Sequence, residues 1–117
     1  MTMSVCFGLL VFLVGCSVCK DEVIRKLGSP DKLHIAIASN RNCGATTSDF
    51  TRVTVEPSSK RTNEIEQVVF TARLEHRIDL SWRDASELLI ECDDCTDEQI
   101  TFQVSKMGAL KISYKPR

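Results

Sequence analysis

Ile78, Leu80 and Trp82 stand at every second position with Arg77, Asp79 and Ser81 between them, and Ile100, Phe102 and Val104 repeat the arrangement around Thr101 and Gln103. Successive side chains of an extended chain point to opposite faces, so a strict period of two predicts strands buried on one face and wet on the other. Leu33, Ile35 and Ile37 alternate with His34, Ala36 and Ala38 in the same way. Further strands are predicted over 50–56, 67–74, 77–82, 87–91, 99–104 and 109–115. The links 83–86 and 105–108 are short and polar, and little more than Glu75-His76 separates 67–74 from 77–82. Links of that length join antiparallel neighbours, because a parallel crossover needs a dozen residues or more.

The expected fold is therefore mainly all-β: an antiparallel meander of six or seven strands, curled or two-layered. Its expected core is Leu33, Ile35, Ile37, Val53, Val55, Val68, Phe70, Leu80, Trp82, Ile90, Phe102, Val104, Ile112 and Tyr114. One short N-terminal helix is predicted over 21–27, with Asp21 and Glu22 at its start, Arg25 and Lys26 near its end, and Gly28 and Pro30 beyond. Residues 57–64 contain no apolar side chain except Pro57 and read as a loop.

No charged residue precedes Lys20, and Val5 to Val14 is almost wholly apolar. That is the hydrophobic region of an export signal rather than a part of the fold. Leu13-Val14-Gly15-Cys16 resembles the lipobox of bacterial lipoproteins, which implies cleavage after Gly15 and a lipid on the Cys16 thiol. Residues 1–15 are then a signal peptide and 16–117 a single domain of the bacterial cell envelope, held to the membrane through Cys16. Met1-Thr2-Met3-Ser4 departs from the pattern in lacking Lys or Arg. An uncleaved anchor or plain secretion is one rival, since 1–19 approaches the roughly 20 residues a spanning helix needs, and a buried N-terminal strand or helix is the other. Gly15, Ser17 and the paired cysteines argue against the anchor. The charge is balanced, 15 basic against 16 acidic residues. The basic residues are scattered among acidic ones, which excludes a phosphate-tracking surface and hence a nucleic-acid partner.

Of six cysteines, Cys6 leaves with the signal and Cys16 takes the lipid. Cys19, Cys43, Cys92 and Cys95 remain, an even set that predicts two disulfides in an oxidising compartment. Three connectivities are open. Cys19–Cys43 with Cys92–Cys95 is favoured, because turn-forming Asp93-Asp94 lies inside the second pair. Cys16-x-x-Cys19 with Cys92-x-x-Cys95 would make two zinc knuckles, but the gap between them far exceeds the usual spacing and lipidation removes one ligand. A redox dithiol would need positive surroundings, whereas Glu91, Asp93, Asp94, Asp97 and Glu98 crowd the pair. No metal and no cofactor is expected.

Several stretches together carry a resemblance: Cys19-Lys20-Asp21-Glu22-Val23, Ser29-Pro30-Asp31, Cys43-Gly44-Ala45-Thr46-Thr47, and Trp82 followed by Leu88 and Ile90. The chain resembles an uncharacterised family of small bacterial lipoproteins that pair a lipobox with a Cys-Gly-Ala-Thr-Thr element. The resemblance implies an exported β domain and no established activity. Lys32 stands where that family commonly has glycine, and the Cys92/Cys95 pair is not a family feature.

Gly44 permits a positive φ, and Thr46, Thr47, Ser48 and Asp49 can hydrogen-bond their own backbone. This hydroxyl-rich loop beside Cys43 is the candidate binding surface, with a structural corner as the equal alternative. For catalysis, neither of the two histidines stands in an acid/base or metal motif; His34 lies in a strand and His76 reads as a solvated turn residue. No nucleophile elbow or phosphate-binding glycine loop is present. The expected function is thus a non-catalytic, lipid-anchored envelope protein that binds another protein or a wall component, as an inhibitor or immunity factor would. A thiol/disulfide or zinc protein using Cys92 and Cys95 is the first alternative, and a small hydrolase the second.

Overall fold

The computed structural model describes residues 20–42, 49–59 and 65–116. These residues are all-β, and form nine strands: β1 (Lys20–Gly28), β2 (His34–Asn42), β3 (Phe50–Pro57), β4 (Gln67–Arg73), β5 (Ile78–Asp84), β6 (Glu87–Cys92), β7 (Ile100–Gln103), β8 (Lys106–Met107) and β9 (Leu110–Pro116). One sheet runs β1-β2-β3-β4-β7 and the other β5-β6-β9-β8. Both bury one face in a common core. Ala36, Ala38, Val53, Val55, Phe70 and Ala72 come from the first sheet, and Ile78, Leu80, Leu88, Ile90 and Ile112 from the second. The Phe70 and Tyr114 rings stack across the interface with centroids 5.3 Å apart, and the Trp82 indole N–H donates to the Leu27 carbonyl at 3.1 Å.

Residues 21–27 are not a helix. They belong to edge strand β1, paired antiparallel with β2 and bulged between Val23 and Arg25. Seven residues cannot sustain a helix without a packed face, and here only Leu27 reaches the core. The open edge of β2 instead offers a full ladder of hydrogen bonds. The charges that suggested helix ends pair between strands: Asp21 lies 3.7 Å from Arg41 and 3.5 Å from Arg52.

The hairpin β5–β6 is the antiparallel unit its short link predicts, closed by the Asp84 carboxylate accepting from the Ser86 N–H and hydroxyl at 2.8 and 2.9 Å. Two other short links behave differently. Residues 74–77 carry the chain from the first sheet to the second, so β4 and β5 are not paired. The expected 105–108 connection contains β8, which forms a hairpin with β9 through a two-residue turn. Gly108 takes the positive φ of 60° which that turn needs at its first central position. Between β6 and β9 the chain visits the first sheet as β7, and β9 therefore returns parallel to β6. The fold is mixed and two-layered rather than a simple meander.

The expected core holds at Val53, Val55, Phe70, Leu80, Ile90 and Ile112. In β2 the faces are reversed: Ala36 and Ala38 are fully buried, Ile35 and Ile37 lie half-buried on the outer face, and Leu33 is 61% exposed. Large side chains from β3, β4 and the opposite sheet fill the interior, and alanine leaves them room. A register shift in β4 likewise buries Val69 in place of Val68. Phe102 stays largely exposed on edge strand β7, while Ile100 and Val104 pack against the core.

The β1–β2 turn explains Lys32. Its N–H donates to the Ser29 carbonyl at 2.9 Å with Pro30 at the second turn position, and Lys32 then takes φ 63°, a conformation glycine adopts without strain. Asp31 accepts from the Ser29 hydroxyl at 2.6 Å and from the Leu33 N–H at 3.1 Å. Those bonds hold its carboxyl below the usual carboxylate range, with the neighbouring His34 adding to the effect.

Candidate functional site: the cleft around His76

Where the chain leaves the first sheet, Leu74 takes a positive φ of 71°. Thr51, fully buried in β3, holds this corner. Its Oγ1 accepts from the His76 N–H at 2.9 Å and lies 2.9 Å from both the Leu74 carbonyl and Asn40 Oδ1. One hydroxyl proton cannot serve two acceptors. A half-turn of the Asn40 amide makes Asn40 the donor, leaves the Thr51 proton for Leu74, and satisfies all three contacts. The Leu74 N–H completes the corner by donating to the Asp49 carbonyl at 2.8 Å.

Beside the corner lies an open cleft of about 670 Å³ between the edges of the two sheets, lined by Arg25, Asn40, Glu75, His76, Arg77 and Asp79 with Ile24 and Ile78. Arg25 and Asp79 stand 3.8 Å apart across it, both half-exposed. An exposed pair of that kind contributes little to stability. The lining carries both signs of charge, with Arg25 and Asp79 already facing each other.

His76 forms the wall between this cleft and the turn after β6. It is half-buried, not the solvated turn residue expected. Its Nε2 lies 2.8 Å from the Arg73 carbonyl and its Nδ1 3.1 Å from the Asp93 carbonyl. In that turn Cys92 and Cys95 are at disulfide-bonding distance, with Cα atoms 5.6 Å apart. Cys92 is fully buried and Cys95 packs against the core. Asp93-Asp94 forms the turn between them, Asp94 at φ 59°, and the Asp93 N–H donates to the Arg77 carbonyl at 3.0 Å.

The other expected site residues are placed less fully. Cys16, Cys19, Cys43, Gly44, Thr46, Thr47 and Ser48, with the signal segment 1–15, lie outside the described residues. Asp49 is described; it borders a small hollow of about 310 Å³ with Phe50, Thr71, Arg73 and Thr101 on the outer face of the first sheet. The structure thus brings together His76, Thr51, Asn40 and the cysteine pair, a grouping not assembled from the sequence. One signal was available: Thr51 shares the inward parity of Val53 and Val55, and a hydroxyl in an apolar series announces a buried hydrogen bond. Nothing local links His76 to Cys92. No family model, curated protein or solved structure matches the chain.

Proposed function

We propose that the chain is a lipid-anchored, non-catalytic binding domain of the bacterial cell envelope, and that it engages another protein through the outer face of its five-stranded sheet. The observation that carries this reading is the contrast between the two outer faces. On the first sheet, Val23 is 58% and Val68 37% exposed, with Ile35 and Ile37 half-buried in the strand between β1 and β3. The outer face of the second sheet instead aligns Asp79, Glu91 and Lys115 in one row and Glu87 with Lys111 in another, with a single apolar side chain, half-buried Leu89, in the row between them. Apolar side chains left in water around the Asp21–Arg52 ion pair suit a protein partner.

Two features support the accompanying assignments. The ladder pairs Lys20 with Asn42, each one residue from a cysteine, which favours the Cys19–Cys43 connectivity and with it a tethered loop of Gly44, Thr46, Thr47, Ser48 and Asp49 next to the lipidated end. Both ring nitrogens of His76 face backbone carbonyls, an arrangement poorly suited to the acid/base exchange a hydrolase needs.

The test is crosslinking in intact envelopes. Val23→Lys with Val68→Lys is expected to abolish the crosslinked product while leaving the melting temperature within a few degrees of wild type. Undiminished crosslinking would remove this face from consideration, and loss on Thr46→Ala with Thr47→Ala alone would move the binding surface to the loop.

A further inference from the structure

We propose that reduction of the Cys92–Cys95 bond opens a site for a thiophilic divalent cation of the zinc class, held by the two sulfurs and Nδ1 of His76. One potential ligand atom from each of these residues lies within 4.8 Å of the other two. Around zinc, with bonds of about 2.3 Å to sulfur and about 2.0 Å to nitrogen, tetrahedral ligand atoms stand about 3.3 to 3.8 Å apart. Closing on the ion therefore brings the ring and the sulfurs up to about 1 Å nearer, while the two sulfurs, about 2.0 Å apart in a disulfide, part by about 1.7 Å once reduced. The third ligand comes from the link between the sheets, so neither a second knuckle nor the lipidated end is needed.

The surroundings of His76 point to a cation independently of that spacing. A carbonyl oxygen only accepts, so a neutral ring can donate to one of its two carbonyl neighbours; with the proton on Nε2, at the shorter contact, it donates to Arg73. The lone pair of Nδ1 then faces the Asp93 carbonyl at 3.1 Å. Two electron-rich atoms at that distance repel unless a positive species joins them: a second proton on the ring, or a metal ion bound at Nδ1. An Nε2–H donated to a backbone carbonyl is also the outer-shell arrangement that orients metal-binding histidines. Asp93, Asp94, Asp97 and Glu98 surround the turn; their charge disfavours bare thiolates and favours a dication that neutralises them. Three protein ligands leave a fourth position, which the Asp93 carbonyl oxygen, 3.1 Å from Nδ1, or water from the open cleft can take.

The chemistry balances with a dithiol reductant. It supplies two electrons by thiol–disulfide exchange and becomes a disulfide itself, leaving Cys92 and Cys95 as thiols. Each thiol releases its proton as its sulfur bonds to the ion.

The experiment uses the full chain in detergent with Cys6, Cys16, Cys19 and Cys43 changed to Ser, so that Cys92 and Cys95 are its thiols. After reduction with a phosphine, which becomes its oxide, the chain is titrated with Co²⁺ and then Zn²⁺ under nitrogen. One equivalent of cobalt is expected, with a thiolate charge-transfer band and the visible absorption of a tetrahedral ion, both displaced by zinc. The same chain left oxidised is expected to take up none. His76→Ala should weaken binding by more than the roughly 10- to 100-fold that loss of an outer-shell partner costs. No uptake by a reduced chain that keeps its β-sheet circular dichroism would overturn the proposal. Uptake by the oxidised chain, or unchanged affinity in His76→Ala, would do the same. Should that variant lose its fold, the ¹⁵N resonance of Nδ1 in the parent chain decides: zinc must move it, and an unmoved signal rejects the site.

Discussion

Single side chains set two features of this protein that titration can read. The phenol oxygen of Tyr114 is buried without a hydrogen-bond partner among the described residues. Tyr114→Phe keeps the stack on Phe70 and removes the unsatisfied group, so it is expected to stabilise the fold by about 1 kcal/mol, visible as a rise of a few degrees in melting temperature. A loss of stability would show that the hydroxyl is hydrogen-bonded in solution. Burial, and then the charge of Asp97, hold this phenol's ionisation above its ordinary value of 10.0. A raised value means that the stability linked to the neutral phenol is complete below pH 10.0 and is lost as pH rises through the folded value. Tyr114→Phe should lack that alkaline loss. Asp31 and Asp84 are shifted the other way, Asp31 first by the Ser29 hydroxyl and Asp84 first by the Ser86 N–H. Their contribution is complete above the unfolded value of 3.8 and is lost as pH falls through the lower folded values. Melting curves between about pH 5 and pH 2 should show a shallower acid decline for Asp31→Asn than for wild type.

Among the elements, the corner at 74–77 decides most, because it turns a would-be hairpin into a change of sheet. Thr51→Val preserves shape but strands the His76 N–H, the Leu74 carbonyl and the Asn40 amide. Loss of such buried partners is expected to cost about 2 to 3 kcal/mol in denaturant unfolding, with Thr51→Ser costing far less. Equal losses for the two would mean that the threonine methyl, not its hydroxyl, holds the corner. Elements whose hydrogen bonds close locally were readable from residue order: β5–β6 has two residues between its last pair, and Asp84 with Ser86 is a local turn device. β1 was not readable as a strand. Its acid-first, base-last order suits a helix, and only the availability of the β2 edge makes the extended form better. The inward face of β2 was misread for a related reason. Leu33, Ile35 and Ile37 are the more hydrophobic set, yet Ala36 and Ala38 are the residues that fit beneath a crowded opposite layer.

At the scale of the whole molecule, residue order by itself determined the all-β class, the alternation that buries one face of β5 and β6, most of the large core residues and the Cys92–Cys95 pairing distance. Period-two patterning and a two-residue cysteine spacing are local properties, and no distant partner is needed to read them. Which strands share a sheet, that β9 runs parallel to β6, and that His76 stands against the cysteine turn were decided only by tertiary structure. A short link limits distance but not direction: four residues can fold back on the same sheet or step across to the next. The choice depends on Thr51, more than 20 positions upstream of Leu74, offering one buried hydroxyl to a carbonyl and an N–H that would otherwise be left unpaired.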